Sequence, residues 1–185
     1  MEVTSGAVVS SRAMPMTTRT APTQSRLAAP KRGALRTILF AWIVAGTLDV
    51  GTAVTYYPLT ANVTARQILQ GIASGVLGAQ AFQGGNATAA LGLGLHYLIA
   101  FIWTVFFYFL ASNIRALTRR PLIVGPLYGT FVWLVMNLIV LPLSHVAHRP
   151  LRLQPSIVGA IILMICIGTP IATIVGRHLS ANSRR

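Results

Sequence analysis

Four long stretches of this chain, at about 37–57, 88–114, 121–144 and 156–176, are apolar and hold a single acidic or basic residue between them, Asp49. A helix needs about 20 mostly apolar residues to cross about 30 Å of hydrocarbon, and each stretch is long enough. Inside lipid the backbone must hydrogen-bond to itself, so each run is expected to be a helix. The connections are short. They predict an all-α fold, a four-helix transmembrane bundle over residues 34–179. Composition agrees: only 9% of the 185 residues are charged, where an ordinary soluble domain has about 25%.

The chain nevertheless carries fifteen Lys+Arg against two acids, a net charge of +13. In a soluble protein that excess would suggest nucleic acid. Here its placement reads as topology. Lys31, Arg32 and Arg36, then Arg115, Arg119 and Arg120, then Arg177, Arg184 and Arg185 fall on one side of the expected membrane; Arg66, Arg149 and Arg152 fall on the other. Nine against three places both termini in the cytoplasm, with the excess charge against lipid headgroups. Residues 1–33, rich in Ser, Thr, Ala and Pro, read as a disordered basic tail, and 180–185 as a short basic C-terminal tail. Pro15, Pro22 and Pro30 interrupt any long amphipathic helix, which argues against an organelle transit peptide. No aromatic residues interleave with the tail arginines, so nucleic acid is not an expected partner.

Between the first two spans, residues 65–83 read ARQILQGIASGVLGAQAFQ, with four glutamines and three glycines. This is too polar for a fifth span and too apolar for a solvated loop. A short re-entrant or interfacial helix on the outer side fits it best. Membrane helices associate through small residues. Candidate packing positions are Gly46, Gly92, the pair Gly71 and Gly75, and the pair Gly125 and Gly129. The last two pairs are GxxxG motifs, expected to pack within the chain, with homo-oligomerisation or a membrane-protein partner as the alternative. Pro126 and Pro170 are expected to kink or interrupt their helices.

Asp49 is the sharpest chemical feature, because an ionised group in mid-span costs several kcal/mol, from about 2.5 upward. It should face the bundle interior and have a partner. Asp49 lies eight residues before Tyr57, His96 eight after Thr88, and Asn137 eight before His145. At 1.5 Å per residue all three sit roughly 12 Å below the outer surface. An intramembrane polar cluster of Asp49, His96 and Asn137 is therefore expected, with Arg66 as a second partner for Asp49. Such a cluster serves either as polar glue fixing helix register or as a proton or small-ligand site.

Other candidates are weaker. His145 and His148, three apart, have no carboxylate beside them and read as interfacial residues. No metal ligand set, cofactor or catalytic residue is expected. Cys166 reads as packing, and the single cysteine excludes an intrachain disulfide.

Several strings together resemble a group of bacterial four-span inner-membrane proteins with no established activity. They are Ala45-Gly46-Thr47-Leu48-Asp49, the run Ile68 to Gly75, Ala81-Phe82-Gln83-Gly84-Gly85, His96, Leu127-Tyr128-Gly129, and Met136-Asn137 with Leu141-Pro142-Leu143. A histidine span followed by a Tyr-Gly span ending in Pro-Leu is also loosely similar to the YagU-like inner-membrane proteins. The resemblance covers about 36–179. It implies a multi-pass protein of the bacterial inner membrane and supplies no catalytic residue. Three functions fit: a non-enzymatic structural or interaction protein, which is the first expectation; a proton-coupled small-solute transporter or channel component using Asp49 and His96; and an enzyme on a lipid-soluble substrate. One internal acid and one internal histidine are few groups for the third.

Overall fold

A computed structural model describes residues 33–146 and 153–182. The basic tail up to Arg32, His148, Arg149, Arg152, Arg184 and Arg185 lie outside the described residues. Six helices follow one another: α1 (Ala34–Ala61), α2 (Ala65–Leu77), α3 (Gly85–Asn113), the four-residue α4 (Ala116–Arg119), α5 (Pro121–Leu143) and α6 (Gln154–Asn182). A 3-10 segment, Gly78–Gln83, joins α2 to α3, and the described residues contain no strand. Four helices, α1, α3, α5 and α6, are long and apolar enough to cross a membrane. Three of them run beyond their apolar stretches: α1 continues through Pro58 to Ala61, α3 starts three residues earlier at Gly85, and α6 takes in residues 180–182 of the expected C-terminal tail, while α5 matches its stretch to within a residue.

The spans alternate in direction. A Cβ placed on Gly33 would meet the His178 ring at 3.1 Å, and one on Gly176 would meet the Thr118 carbonyl at 3.6 Å. The start of α1, the α4 turn and the end of α6 therefore share one end of the bundle. Arg36, Arg115, Arg119, Arg120 and Arg177 gather there. At the other end α2 sits beside the start of α3 and the end of α5. Large apolar side chains cover the outside: Leu127 is 65% exposed and Ile165 62%. Water would penalise such a surface, and lipid tails would not.

Two kinds of packing set the spacing between spans. Helices α5 and α6 meet backbone to backbone. A Cβ on Gly125 would stand 2.6 Å from the Thr169 Cα, and one on Gly129 would stand 2.5 Å from the Met164 Cα. Gly168 of α6 is equally committed, because a side chain there would run into the Gly125 carbonyl. This GxxxG face is filled within the chain by α6. Against α3, by contrast, α5 is held by rings. Tyr128 packs on Phe107 with centroids 4.7 Å apart, and its hydroxyl donates to the Trp103 carbonyl at 2.6 Å.

The prolines of α5 and α6 bend the hydrogen-bond ladder without breaking the helices. Each widens into a π turn, Met136–Val140 and Leu163–Gly168, just ahead of Pro142 and Pro170. A proline ring clashes with the carbonyl four residues back. One extra residue in the preceding turn relieves that clash, and the amides of Leu141 and Thr169 bond five residues back, to Met136 and Met164. The Thr169 hydroxyl adds a second donor to the Met164 carbonyl at 2.8 Å. Pro170, expected to interrupt its helix, is accommodated in this way.

Helix α2 is 13 residues long, about 20 Å, too short to span. Thr64 and Gln67 close a capping box at its start. Gly78 ends it at φ 62°, a conformation that favours glycine, with its amide on the Ser74 carbonyl. Its buried face mixes polar and apolar residues, Gln70, Ala73 and Ser74, while Arg66, Gln67, Val76 and Leu77 are exposed. The Gln70 amide donates to the Gly85 carbonyl at 3.0 Å and to the Thr88 hydroxyl at 3.2 Å, anchoring α2 to the start of α3. Farther along, the Leu69 carbonyl lies where a Cβ on Gly92 would go. Gly92 is seven residues after the start of α3, so the two backbones touch about 10 Å along that helix. The other GxxxG pair behaves differently from the first. Gly71 faces open space, and Gly75 would make only ordinary contact with Ser144 and Val146.

These glycines generate a contrast. Gly129→Leu should destabilise the protein by about 1–3 kcal/mol through overpacking, whereas Gly71→Ala should stay within about 0.5 kcal/mol of the parent. Thermal unfolding of the two variants in detergent reads the difference.

Candidate functional site

Asp49 of α1 turns inward. Its side chain is 17% exposed, that of His96 is 12% exposed, and the His96 Nδ1 lies 3.9 Å from the Asp49 Oδ2. That separation is an ion-pair distance and too long for a direct hydrogen bond. The other ring nitrogen is committed: His96 Nε2 lies 2.9 Å from the Gly46 carbonyl oxygen, which only accepts, so Nε2 carries a hydrogen. Nδ1 is thereby left facing the carboxyl group. One turn of α1 supplies both partners, since Gly46 and Asp49 are three residues apart and share a face.

Gly46 is where α1 and α3 approach closely. A Cβ on it would meet the Tyr97 ring at 3.0 Å and the Ala100 Cβ at 3.5 Å. Polar bonds pin the same interface on either side. Trp42 Nε1 donates to the Tyr97 carbonyl at 2.7 Å, and the Thr47 and Tyr97 hydroxyls share a hydrogen bond of 2.9 Å. Trp42 and Tyr97 were not expected in this role. Their adjacency to the Gly46–Asp49 and His96 positions is the only signal the sequence carries.

The pair opens into a cavity of about 970 Å³ bounded by every element except α4. Asp49 and Tyr57 line it from α1, His96 and Trp103 from α3, Trp133 and Asn137 from α5. Ile72 of α2 and Val146 close it toward the α2 end, and Gly159, Leu163 and Ile167 form the α6 wall. Both π turns therefore face this space, at Met136 and Asn137 on one side and at Leu163 and Ile167 on the other. A binding cavity for a small molecule has this character, mostly apolar with a few polar groups converging on it.

Asn137 shares the cavity with Asp49 and His96, but its amide donates to the Trp133 carbonyl of its own helix at 2.9 Å. The structure thus joins two of the three expected cluster members directly and places the third on the same wall-bounded space. Arg66 is exposed in the first turn of α2, and the ion pair at Asp49 is with His96; the expected second partnership with Arg66 is not made. Buried Cys166 lies 3.4 Å from the Thr52 hydroxyl, one turn below Asp49 on α1. His145 is exposed, and its backbone amide donates to the Gly75 carbonyl at 3.0 Å, which ties the end of α5 to α2. Gln70, buried and doubly bonded, is the other polar anchor that spacing did not single out.

Compared with known proteins, the chain matches no protein-family model, no curated protein and no solved structure.

The pair geometry predicts coupling. Asp49→Asn and His96→Ala should be non-additive in detergent unfolding, by on the order of 0.6 kcal/mol or more. Asp49→Asn and Arg66→Gln should add, because those side chains do not meet.

Proposed function

We propose that this is an integral membrane protein that admits a small solute to the cavity between its spans and couples occupancy to a proton held by Asp49 and His96. The observation that carries the reading is the cavity itself, of about 970 Å³, with the one acid of the described residues on its wall. A purely structural bundle gains nothing from that volume. The space is partly open to the outside of the bundle, and a half-satisfied carboxylate on its wall carries a desolvation cost that a structural role does not require. The cavity therefore favours solute handling over the structural or interaction role expected first. The basic end of the bundle is proposed to face the cytoplasm of a bacterial inner membrane, following the distribution of arginines and the resemblance to multi-pass inner-membrane proteins.

Proton coupling follows from the chemistry of the pair. With Nε2–H on the Gly46 carbonyl, a proton between Asp49 and Nδ1 leaves the pair neutral whichever atom holds it. A neutral pair is tolerable in a low-dielectric wall, and the same carboxylate without its proton or partner is not. Occupancy of the cavity changes which arrangement is favoured.

The test is access. Asn137→Cys in a Cys166→Ser background should react with a small polar methanethiosulfonate reagent in membranes, and adding Gly159→Trp should abolish the reaction by filling the cavity. A cysteine at 137 that stays unlabelled would leave a closed structural bundle.

A further inference from the structure

The charge and the walls of the cavity specify its ligand more narrowly. Asp49 is the one acid among the described residues, and none of the described arginines lines the space. The rest of the lining is mostly apolar or aromatic, with His96, Asn137 and Ser156 as its polar members and Trp103, Trp133 and Tyr57 contributed by three different spans. Two of these rings converge. A Cβ on Gly159 would make ordinary contact with both, 3.4 Å from Trp133 Nε1 and 3.9 Å from the Tyr57 hydroxyl, so the two side chains meet α6 at one point and a large side chain there would enter the space. One carboxylate, aromatic side chains and no arginine, with His96 already engaged by that carboxylate and by the Gly46 carbonyl, form a site for a positive charge carried on an apolar body. An anion would be repelled by the carboxylate, and a metal ion would lack ligands, since the described residues offer no group of three His, Cys, Asp or Glu.

We propose that the cavity binds a monovalent lipophilic organic cation, such as a quaternary ammonium or an aromatic amine, in exchange for the proton of the Asp49–His96 pair. This rests on the solute-handling reading above. The exchange balances. The bound cation replaces the shared proton as the carboxylate's partner, that proton leaves to water, and His96 Nε2 keeps its hydrogen on the Gly46 carbonyl. One positive charge enters the cavity and one leaves. The other titratable groups near the pair are Tyr57 of α1 on the cavity wall, with Tyr56 beside it, Tyr97 of α3 against the His96 ring, and Cys166 of α6 beside Thr52; Arg66 and His145 lie exposed at the α2 end. The lining contributions of α2 and α5, among them Ile72, Trp133 and Asn137, carry no titratable group.

The experiment uses the full chain in detergent, weakly buffered and with a pH-indicator dye. It is titrated with tetraphenylphosphonium, with tetraphenylborate as the anion of the same shape, and with neutral triphenylphosphine oxide. The phosphonium should bind saturably and release about one proton per cation, while the borate should not saturate. Asp49→Asn should weaken phosphonium binding by about tenfold or more and leave binding of the neutral oxide intact, which shows that the cavity is still folded. Equal binding of the cation and the oxide in both proteins, or saturable phosphonium binding without proton release, would overturn the inference while the solute-handling reading stands. Absence of saturable binding by all three probes, or binding untouched by Gly159→Trp, would remove both.

Discussion

Hydrocarbon offers no hydrogen-bond partner, so a polar group placed in a span must be answered from within the protein. The arrangement of the spans follows from that constraint. Most hydroxyls solve the problem locally: Thr104, Thr130 and Thr173 donate to carbonyls four residues back on their own helices. His96, Trp42 and Tyr128 instead reach a neighbouring helix. Those few long-range bonds fix which face of α1 meets α3 and which face of α5 meets α3. Asp49 differs in kind, because a carboxylate has no local donor in a helix and depends on His96 across the interface.

The cavity is a consequence of unequal spacers. Glycines at 125, 129 and 168 draw α5 and α6 into backbone contact, while Tyr128, Phe107 and Trp103 hold α5 and α3 apart by the width of their rings. The π turn before Pro142 lies toward the α2 end of these rings, the one before Pro170 lies against Gly125 and Gly129, and both contribute residues to the cavity wall. Helix α2 adds Ile72 to that wall and is held by Gln70 on the α3 side and by the His145 amide on the α5 side. π turns often accompany functional sites in helices for this reason: they alter which side chains face inward without ending the helix.

Legibility in the sequence followed the range of the interaction concerned. The four spans, the short helix at 65–83 and the inward facing of Asp49 could be read because each rests on a one-dimensional property, the run length of apolar residues or the cost of one charge. Depth counting placed His96 and Asn137 level with Asp49, yet it could not say that Asn137 would bond back to Trp133. Nor could it show that Arg66 would stay outside, since the direction of α2 depends on Gln70 finding Gly85 and Thr88. The two GxxxG motifs are alike in sequence and opposite in use, one filled by α6 and the other facing open space at Gly71.

The chain by itself determined four helices long and apolar enough to cross a lipid phase, with one acid among them that such a phase cannot solvate. Both follow from transfer free energies, which add along a sequence whatever the fold. Only the tertiary structure decided that the acid meets a histidine with a pinned Nε2–H, and that the pair borders a large aromatic-walled space. Those outcomes depend on the distances between helices, and each distance is set by the side chain, or the missing side chain, on the opposite helix.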